Sequence, residues 1–388
     1  MSDQAQDHER RRRWRLALGG EDDGGLSERD GRIDRALTML YAQEPDKKRR
    51  GGLGASAPKV ARWLDEIREF FPTPVVQVIQ RDAFDRLALK ALLLQPEFLE
   101  TLEADVHLVA DLISLRAAMP EKAKASARAV VAKVVGELLD KLGRRTAETI
   151  RGAIDRARRT RRPRAADIDW PRTIGANLRH WQPAYRTVIP ETLIGHARRR
   201  KTRADLDSVI LCVDQSGSMA ASVVYASIFA AVMASLPVID TRLVCFDTVV
   251  VDLSDQLADP VELLFGVQLG GGTDINQALA YCERLIAQPT KTHLVLVTDL
   301  YEGGDAAQML ARAAALVAAG VNLIVLLALS DQGRPGYHAA HAAALAALGC
   351  PVFACTPDAF PDLMATALAR RDIAEWASGC DIALVRGG

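Results

Sequence analysis

The second half of this sequence alternates short apolar runs, rich in β-branched residues, with longer alanine-rich segments. Runs this short and apolar are typical of buried strands, and they lie at 208–213, 242–246, 248–252, 293–298, 321–327 and 352–354. Helices are predicted between and after them at 220–236, 260–265, 274–287, 305–319, 336–348 and 357–370. Strands joined by crossover helices form a mostly parallel sheet, so this half is predicted to be a doubly wound α/β domain.

The first half has a different periodicity. Apolar residues recur three and four positions apart, as in Ile33, Leu37 and Leu40, which is the spacing of an amphipathic helix. The longest such helix is predicted from Pro120 onward, because an apolar stripe runs from 130 to 142. We therefore predict an all-α N-terminal domain in front of the α/β domain.

The stretch between the two halves is basic and then aromatic. Arginine is frequent from 144 to 162, and this part is interpreted as a solvated helix that leads into a linker. The following connector contains Trp170, Trp181 and Tyr185, large side chains that could pin it onto a neighbouring domain. An RNA-binding surface formed by these aromatic and the nearby basic residues is the weaker interpretation. The predicted organisation is a flexible N-terminus at 1–30, a helical domain at 31–162, the connector at 163–204, the α/β domain at 205–372 and a C-terminal tail at 373–388.

The composition excludes several classes of protein. Apolar residues make up 49% of the chain and the 49 basic residues match 49 acidic ones, so neither a disordered chain nor a nucleic-acid-coating protein is expected. Most of the cysteines lie within apolar runs, as reduced core residues do, and a zinc site at Cys350, Cys355 and Cys380 is the weaker interpretation. No secretory signal or bilayer-spanning run is recognised, so we expect a cytoplasmic protein that does not enter a membrane.

Polar residues follow the first predicted strand of the α/β half at alternate positions. The apolar run 209–213 leads directly into Asp214, and Ser216 and Ser218 come next. At the carboxyl end of a parallel strand, these oxygen atoms face the crevice in which open α/β sheets bind ligands. A group of oxygen ligands alone selects a hard cation, Mg²⁺ or Mn²⁺, over zinc.

Two later segments supply further oxygen ligands. A run of glycines at 270–272 ends in Thr273, and the apolar run 294–297 is followed by Thr298 and then Asp299. The glycines let the backbone approach closely while Thr273 presents its hydroxyl, and Asp299 adds a second negative charge. The predicted metal ligands are Asp214, Ser216, Ser218, Thr273 and Asp299.

This set of residues resembles the metal-ion-dependent adhesion site of von Willebrand factor A (VWA) domains, which have a Rossmann-like fold. The resemblance covers roughly residues 205–370. It implies direct coordination by Ser216, Ser218 and often Thr273, with Asp214 and Asp299 acting through waters. It also implies an open coordination position for an Asp or Glu of a partner protein.

The sequence departs from the family pattern beside the last acid. Glycine usually follows that acid, whereas Leu300 and Tyr301 stand here, so we expect a differently shaped rim. A helical half before the VWA domain resembles the bacterial CoxE-like or MoxR-associated proteins. That resemblance implies a protein-binding adaptor, not an enzyme, that works with a MoxR-type AAA+ ATPase or its client in chaperone-like remodelling or in metal or cofactor insertion.

Other functions fit the sequence less well. Ro-like RNA-binding proteins also join helices to a VWA domain, but no repeat period is detected before residue 205. A serine hydrolase needs a Gly-x-Ser-x-Gly frame, which neither Ser216 nor Ser218 occupies, and a phosphotransferase needs a second acid where Ser216 stands. Ser218 could also be a simple helix cap. His338 and His341 are interpreted as an exposed or hydrogen-bonded pair.

Overall fold

The computed structural model describes residues 27–41, 57–87, 89–157, 159–160, 163, 165, 168–196, 206–267, 270–329 and 335–387. The chain forms two compact units, Met1–Val134 and Val135–Gly388. The sequence-based boundary at residue 162 therefore lies inside the second unit.

The first unit is helical. Its helices are α1 (Glu28–Tyr41), α2 (Ala57–Phe70), α3 (Thr73–Leu87), α4 (Pro96–Leu99), α5 (Val106–Leu115) and α6 (Glu121–Leu138), of which α6 crosses into the second unit. Trp63 Nε1 donates to the carbonyl oxygen of Ala36 at 3.0 Å and so joins α2 to α1. No strand occurs among the described residues of this unit, which confirms the predicted all-α half.

The second unit contains the remaining α-helices and the strands. In chain order they are α7 (Arg144–Ala157), β1 (Arg159–Thr160), α8 (Trp170–Ala176), β2 (Trp181–Gln182), β3 (Thr187–Val188), β4 (Gly195–His196), β5 (Asp207–Asp214), α9 (Ala220–Ala234), β6 (Ile239–Phe246), β7 (Val250–Asp252), α10 (Pro260–Gly266), α11 (Ile275–Leu285), β8 (Thr292–Val297), α12 (Ala306–Ala318), β9 (Asn322–Leu329), α13 (Ala339–Ala347), β10 (Val352–Cys355), α14 (Phe360–Leu368) and α15 (Ile373–Gly379). Each strand and helix predicted for the α/β half has a counterpart whose ends differ by at most three residues.

A six-stranded sheet forms the centre of this unit, with the strand order β10-β9-β8-β5-β6-β7. Strand β5 pairs in parallel with β6 and with β8, and only the edge strand β7 runs antiparallel to its neighbour. Every residue of β8 is buried, which is typical of a parallel sheet covered by helices on both faces. The predicted α/β fold with a mostly parallel sheet is confirmed.

Helix α9 follows β5 and is almost entirely buried, from Ser222 to Met233. Within the described residues, Gly217–Ala234 is the one helical stretch long and apolar enough to cross a membrane by length and composition, and 67% of it is buried inside the protein. A helix that packs in the core of a protein is buried to this extent.

The composition of the basic helix α7 predicts a solvated helix that leads into a linker, but the structure buries one face of it. A π-helical turn, Leu139–Gly143, joins it to α6, and α7 packs against α14. Thr146, Ile150 and Ala153 are fully buried on its inner face. The apolar stripe is easy to miss in the sequence because a threonine and an alanine provide most of it.

The C-terminal residues also contribute to the fold, although the sequence predicted a tail from residue 373. Helix α15 is capped by Asp372, whose carboxylate accepts from Ala374 N at 2.7 Å. Its Ile373 and Ala377 are buried, and the ring of Trp376 lies 6.1 Å from that of Phe353.

Residues 168–196, named the arm below, make up most of the predicted connector. β2 and β3 form a short antiparallel hairpin, and β4 pairs with β1. Trp170, Trp181 and Tyr185 are between 50% and 75% exposed. The interpretation that these side chains pin the connector onto a neighbouring domain is therefore wrong.

His293 in β8 makes the stability of the fold pH-dependent. Its ring is fully buried, Nδ1 lies 2.9 Å from the amide nitrogen of Asn322, and burial lowers the pKa of the imidazole to about 4. The unfolded chain therefore binds a proton on His293 near pH 6.5, whereas the folded chain binds this proton only near pH 4. Stability is lost as the pH falls through this window.

We predict that the free energy of unfolding falls by roughly 2 kcal/mol more in the wild type than in His293→Gln between pH 7 and 4.5. The glutamine variant keeps a polar side chain but carries no titrating group. Urea unfolding at both pH values measures the difference. Equal losses in the two proteins would contradict the assigned role of His293.

Candidate metal centre

Asp214 is the last residue of β5, the strand that lies between β6 and β8, and its side chain is fully buried. One carboxylate oxygen, Oδ1, accepts from the backbone nitrogen of Ser216 at 2.8 Å. The other oxygen, Oδ2, accepts from the Thr298 hydroxyl at 2.7 Å. Asp214 thereby fixes the turn that follows β5 and links it to the residue that follows β8.

The two predicted serine ligands lie in that turn and face each other. Ser216 Oγ and Ser218 Oγ are 3.3 Å apart, and Ser218 Oγ donates to Asp299 Oδ2 at 2.6 Å. Asp299 is only 8% exposed. The structure thus brings Asp214, Ser216, Ser218 and Asp299 into one hydrogen-bonded set.

Thr273 makes no described hydrogen bond to this set, but the backbone of its loop is bonded to the neighbouring loops. Its carbonyl oxygen accepts from Gly303 N at 2.7 Å, which ties its loop to the one after β8. Gly270 N donates to the carbonyl oxygen of Gln215 at 3.1 Å, which ties the same loop to the turn after β5. The three loops that carry the predicted ligands are therefore bonded to one another.

Glycine is required in the Thr273 loop. Gly271 has φ of +109°, a conformation that L-residues with side chains rarely adopt. A Cβ atom there would also lie 3.2 Å from Asp247 Oδ2. The sequence-based expectation that glycine allows close backbone approach here agrees with this geometry.

Thr298 was not predicted as a site residue. Its fully buried hydroxyl donates to Asp214 and accepts from Leu300 N at 3.1 Å. In the sequence, only the position of Thr298 between the last residue of β8 and Asp299 points to a role in the site. Its partner is 84 residues away in the sequence, so only the tertiary fold identifies the contact.

The rim beside Asp299 differs from a loop with glycine after the acid. Leu300 is fully buried and adopts φ of +64°, which places the next residue, Tyr301, at the surface with 54% of its area exposed. The backbone nitrogen of His338 donates to the carbonyl oxygen of Asp299 at 2.9 Å. The start of α13 is therefore bonded to the loop that carries a predicted ligand.

Aromatic rings line this part of the rim. The Tyr301 and His338 rings are perpendicular with centroids 5.8 Å apart, and the His338 and His341 rings stack at 3.8 Å. His338 Nδ1 accepts from His341 N at 3.3 Å, and His341 Nδ1 lies 3.0 Å from the carbonyl oxygen of Leu300. The two histidines are a hydrogen-bonded pair, as predicted.

Negative charge accumulates at the buried end of β5. Burial raises the pKa of the Asp214 carboxyl above its usual value, and the charge of Asp299 raises this pKa further, while hydrogen bonds from Ser216 and Thr298 lower it. No ion pair among the described residues includes Asp214 or Asp299. A divalent cation would compensate two buried charges that no arginine or lysine of the described part neutralises.

The chemistry of the donors restricts the metal. Over the described ranges, no group of three or more His, Cys, Asp or Glu side chains is arranged to hold a metal ion. The set brought together here has two carboxylates with hydroxyl groups, and such hard oxygen ligands fit Mg²⁺ or Mn²⁺ and not zinc. The residues present therefore fit the cation predicted from the sequence.

Sequence comparisons identify relatives of this chain. Residues 142–364 match the sequence profile of a family described as VWA domain containing CoxE-like protein. The uncharacterized protein YehP of Escherichia coli strain K12 is 36% identical in an alignment of 352 positions that covers 89% of this chain and 93% of that protein.

Comparisons with solved structures give low similarity. A von Willebrand factor type A structure from Catenulispora acidiphila has 16% identity, covers 42% of each chain and gives a TM-score of 0.33. The Ro protein of Deinococcus radiodurans has 15% identity over 91% of this chain and 78% of its own, with a TM-score of 0.28. Structural similarity this low does not identify a family, so the family assignment depends on the sequence matches.

Substitution of Thr298 tests whether its hydroxyl supports the site. Replacing it by valine leaves Asp214 Oδ2 and Leu300 N without a buried partner. We predict that Thr298→Val lowers the unfolding free energy by about 1–3 kcal/mol and weakens Mg²⁺ binding about tenfold or more. Thr298→Ser, which keeps the hydroxyl, should behave like the wild type in denaturation and in calorimetric titration. A valine variant with unchanged Mg²⁺ affinity would exclude Thr298 as a support of the site.

Proposed function

The chain belongs to the family of CoxE-like proteins that contain a VWA domain, and we propose that it is an adaptor that binds another protein through a divalent metal ion. The observation that carries this proposal is the hydrogen-bonded set of Asp214, Ser216, Ser218 and Asp299 at the carboxyl ends of β5 and β8. Ligands bind at this edge in open α/β sheets.

The ligands explain why the metal would attract a partner. Ser216, Ser218 and Thr273 would offer neutral hydroxyls to Mg²⁺ or Mn²⁺, with Asp214 and Asp299 as the acids behind them. A cation held largely by neutral oxygens supplies a Lewis-acidic position that gains energy from an incoming carboxylate. We therefore propose that an Asp or Glu of the partner completes the coordination.

The charges around the site make this binding depend on the metal. Four acids on the adjoining loops, named the acidic rim, are Asp247, Asp274, Glu302 and Asp305. None of them forms an ion pair with Lys or Arg within the described residues. Burial raises the pKa of Glu302, and the charge of Asp274 raises this pKa further. Without the cation, this surface repels a carboxylate.

Membership of the CoxE-like family supports an adaptor role. We propose a MoxR-type AAA+ ATPase or its client, in chaperone-like remodelling or in metal or cofactor insertion, and a cytoplasmic location. We also propose that the chain is not an enzyme, because its site would serve to recognise a partner protein. RNA binding remains an alternative, and the TM-score of 0.28 with the Ro protein lends it no support.

Co-purification from the native host tests the proposal. We predict that the wild-type chain retains an ATPase or its client in Mg²⁺ and loses it in EDTA, and that Asp214→Ala loses it in both. Asp255→Asn removes an exposed acid that follows the edge strand β7, and it should behave like the wild type. Retention of the same partners by every protein in every buffer would mean that the metal is not part of the interface.

A further inference from the structure

The arm presents a concentration of exposed apolar side chains. Six large residues between 170 and 189 are each from 44% to 75% exposed, and they are Trp170, Ile174, Leu178, Trp181, Tyr185 and Ile189. Only four other large apolar residues among those described have comparable exposure. Exposed apolar surface of this extent on one small module marks an interaction site.

This surface rests on an ordered support. The buried side-chain amide of Asn177 donates to the carbonyl oxygens of Thr173 and Thr192 at 2.7 and 2.8 Å. Its Oδ1 accepts from the backbone nitrogens of Glu191 and Thr192 at 3.0 and 3.2 Å. Because α8 and the segment between β3 and β4 are already tied together, association costs little in ordering the backbone.

The charges of the arm are largely paired within it. Arg172 lies 3.6 Å from Asp169, and Glu191 lies 3.3 Å from Arg179 and 3.1 Å from His180. Arg186 is the one arginine of the arm without a described ion pair, so the arm offers little unpaired positive charge to the phosphates of a nucleic acid or an anionic membrane. It fits another apolar surface with balanced charges.

The area of this surface matches what a dimer needs. Six half-exposed side chains of this size present on the order of 700 Å². A standard protein interface takes about 800 Å² from each partner. A second copy offers the same apolar area and the same balanced charges, and twofold dimers are the commonest closed assemblies.

We propose that the arm is a homodimer interface, in which the arms of two copies pack against each other. The contact is separate from the metal centre and needs no cation. A dimer also carries two metal centres, so a partner with repeated carboxylates would gain affinity from bivalent binding.

The test is the mass of the full chain in EDTA, measured by sedimentation velocity and by light scattering from about 1 to 50 μM, a range that brackets micromolar dissociation constants. We predict that the wild type approaches twice its monomer mass of 42.1 kDa. Leu178→Arg should weaken dimerisation about 30-fold or more, because it places a charge among packed apolar side chains. Tyr185→Ser, at the hairpin tip, should weaken it in the same direction.

Val249→Arg is the matched control, since Val249 is as exposed as Leu178 at 61% but lies outside the arm. It should dimerise like the wild type, and circular dichroism should show all variants folded. A monomeric wild type at 50 μM, or Leu178→Arg and Tyr185→Ser dimers as stable as the wild type, would overturn the proposal. So would a dimer that forms in Mg²⁺ and dissociates in EDTA, since the metal centre would then be the interface.

Discussion

The buried carboxylate of Asp214 is the interaction on which the candidate site depends. It ends the strand between β6 and β8, and its two oxygens accept from Ser216 N and from the Thr298 hydroxyl. The first bond shapes the turn that presents the serines, and the second holds that turn beside the Asp299 loop. A charge placed there is costly, and both hydrogen bonds and a cation reduce the cost.

The sequence predicted the sheet and the places where its strands end, because both follow from local patterns; the metal ligands at those ends stay a prediction. Asp214 ends one apolar strand and Asp299 follows another after a single residue, and parallel strands bring their carboxyl ends to one edge whatever the details of packing. The supporting contacts could not be predicted in this way. Thr298 bonds to a residue 84 positions away, and His338 bonds to the backbone of Asp299, so neither contact has a local signature.

The boundary between the two halves shows the same limit. Its basic composition placed α7 with a linker, yet Ile150 and Ala153 are buried and α7 packs against α14. The family match begins at residue 142 and the second compact unit at Val135, so both include α7 in the VWA-containing part. The composition of such a helix is dominated by its wide exposed face, so it gives little indication of a narrow buried face.

A metal centre at these loops is tested most directly by titrating the full chain with Mn²⁺ and following the free ion by electron paramagnetic resonance. We predict that one Mn²⁺ binds per chain, that excess Mg²⁺ displaces it, and that Ser216→Ala weakens its binding at least tenfold. That variant removes a hydroxyl that is partly exposed, so its fold should be unaffected. Equal Mn²⁺ binding by the wild type and Ser216→Ala, or none by either, would contradict a metal centre at these loops.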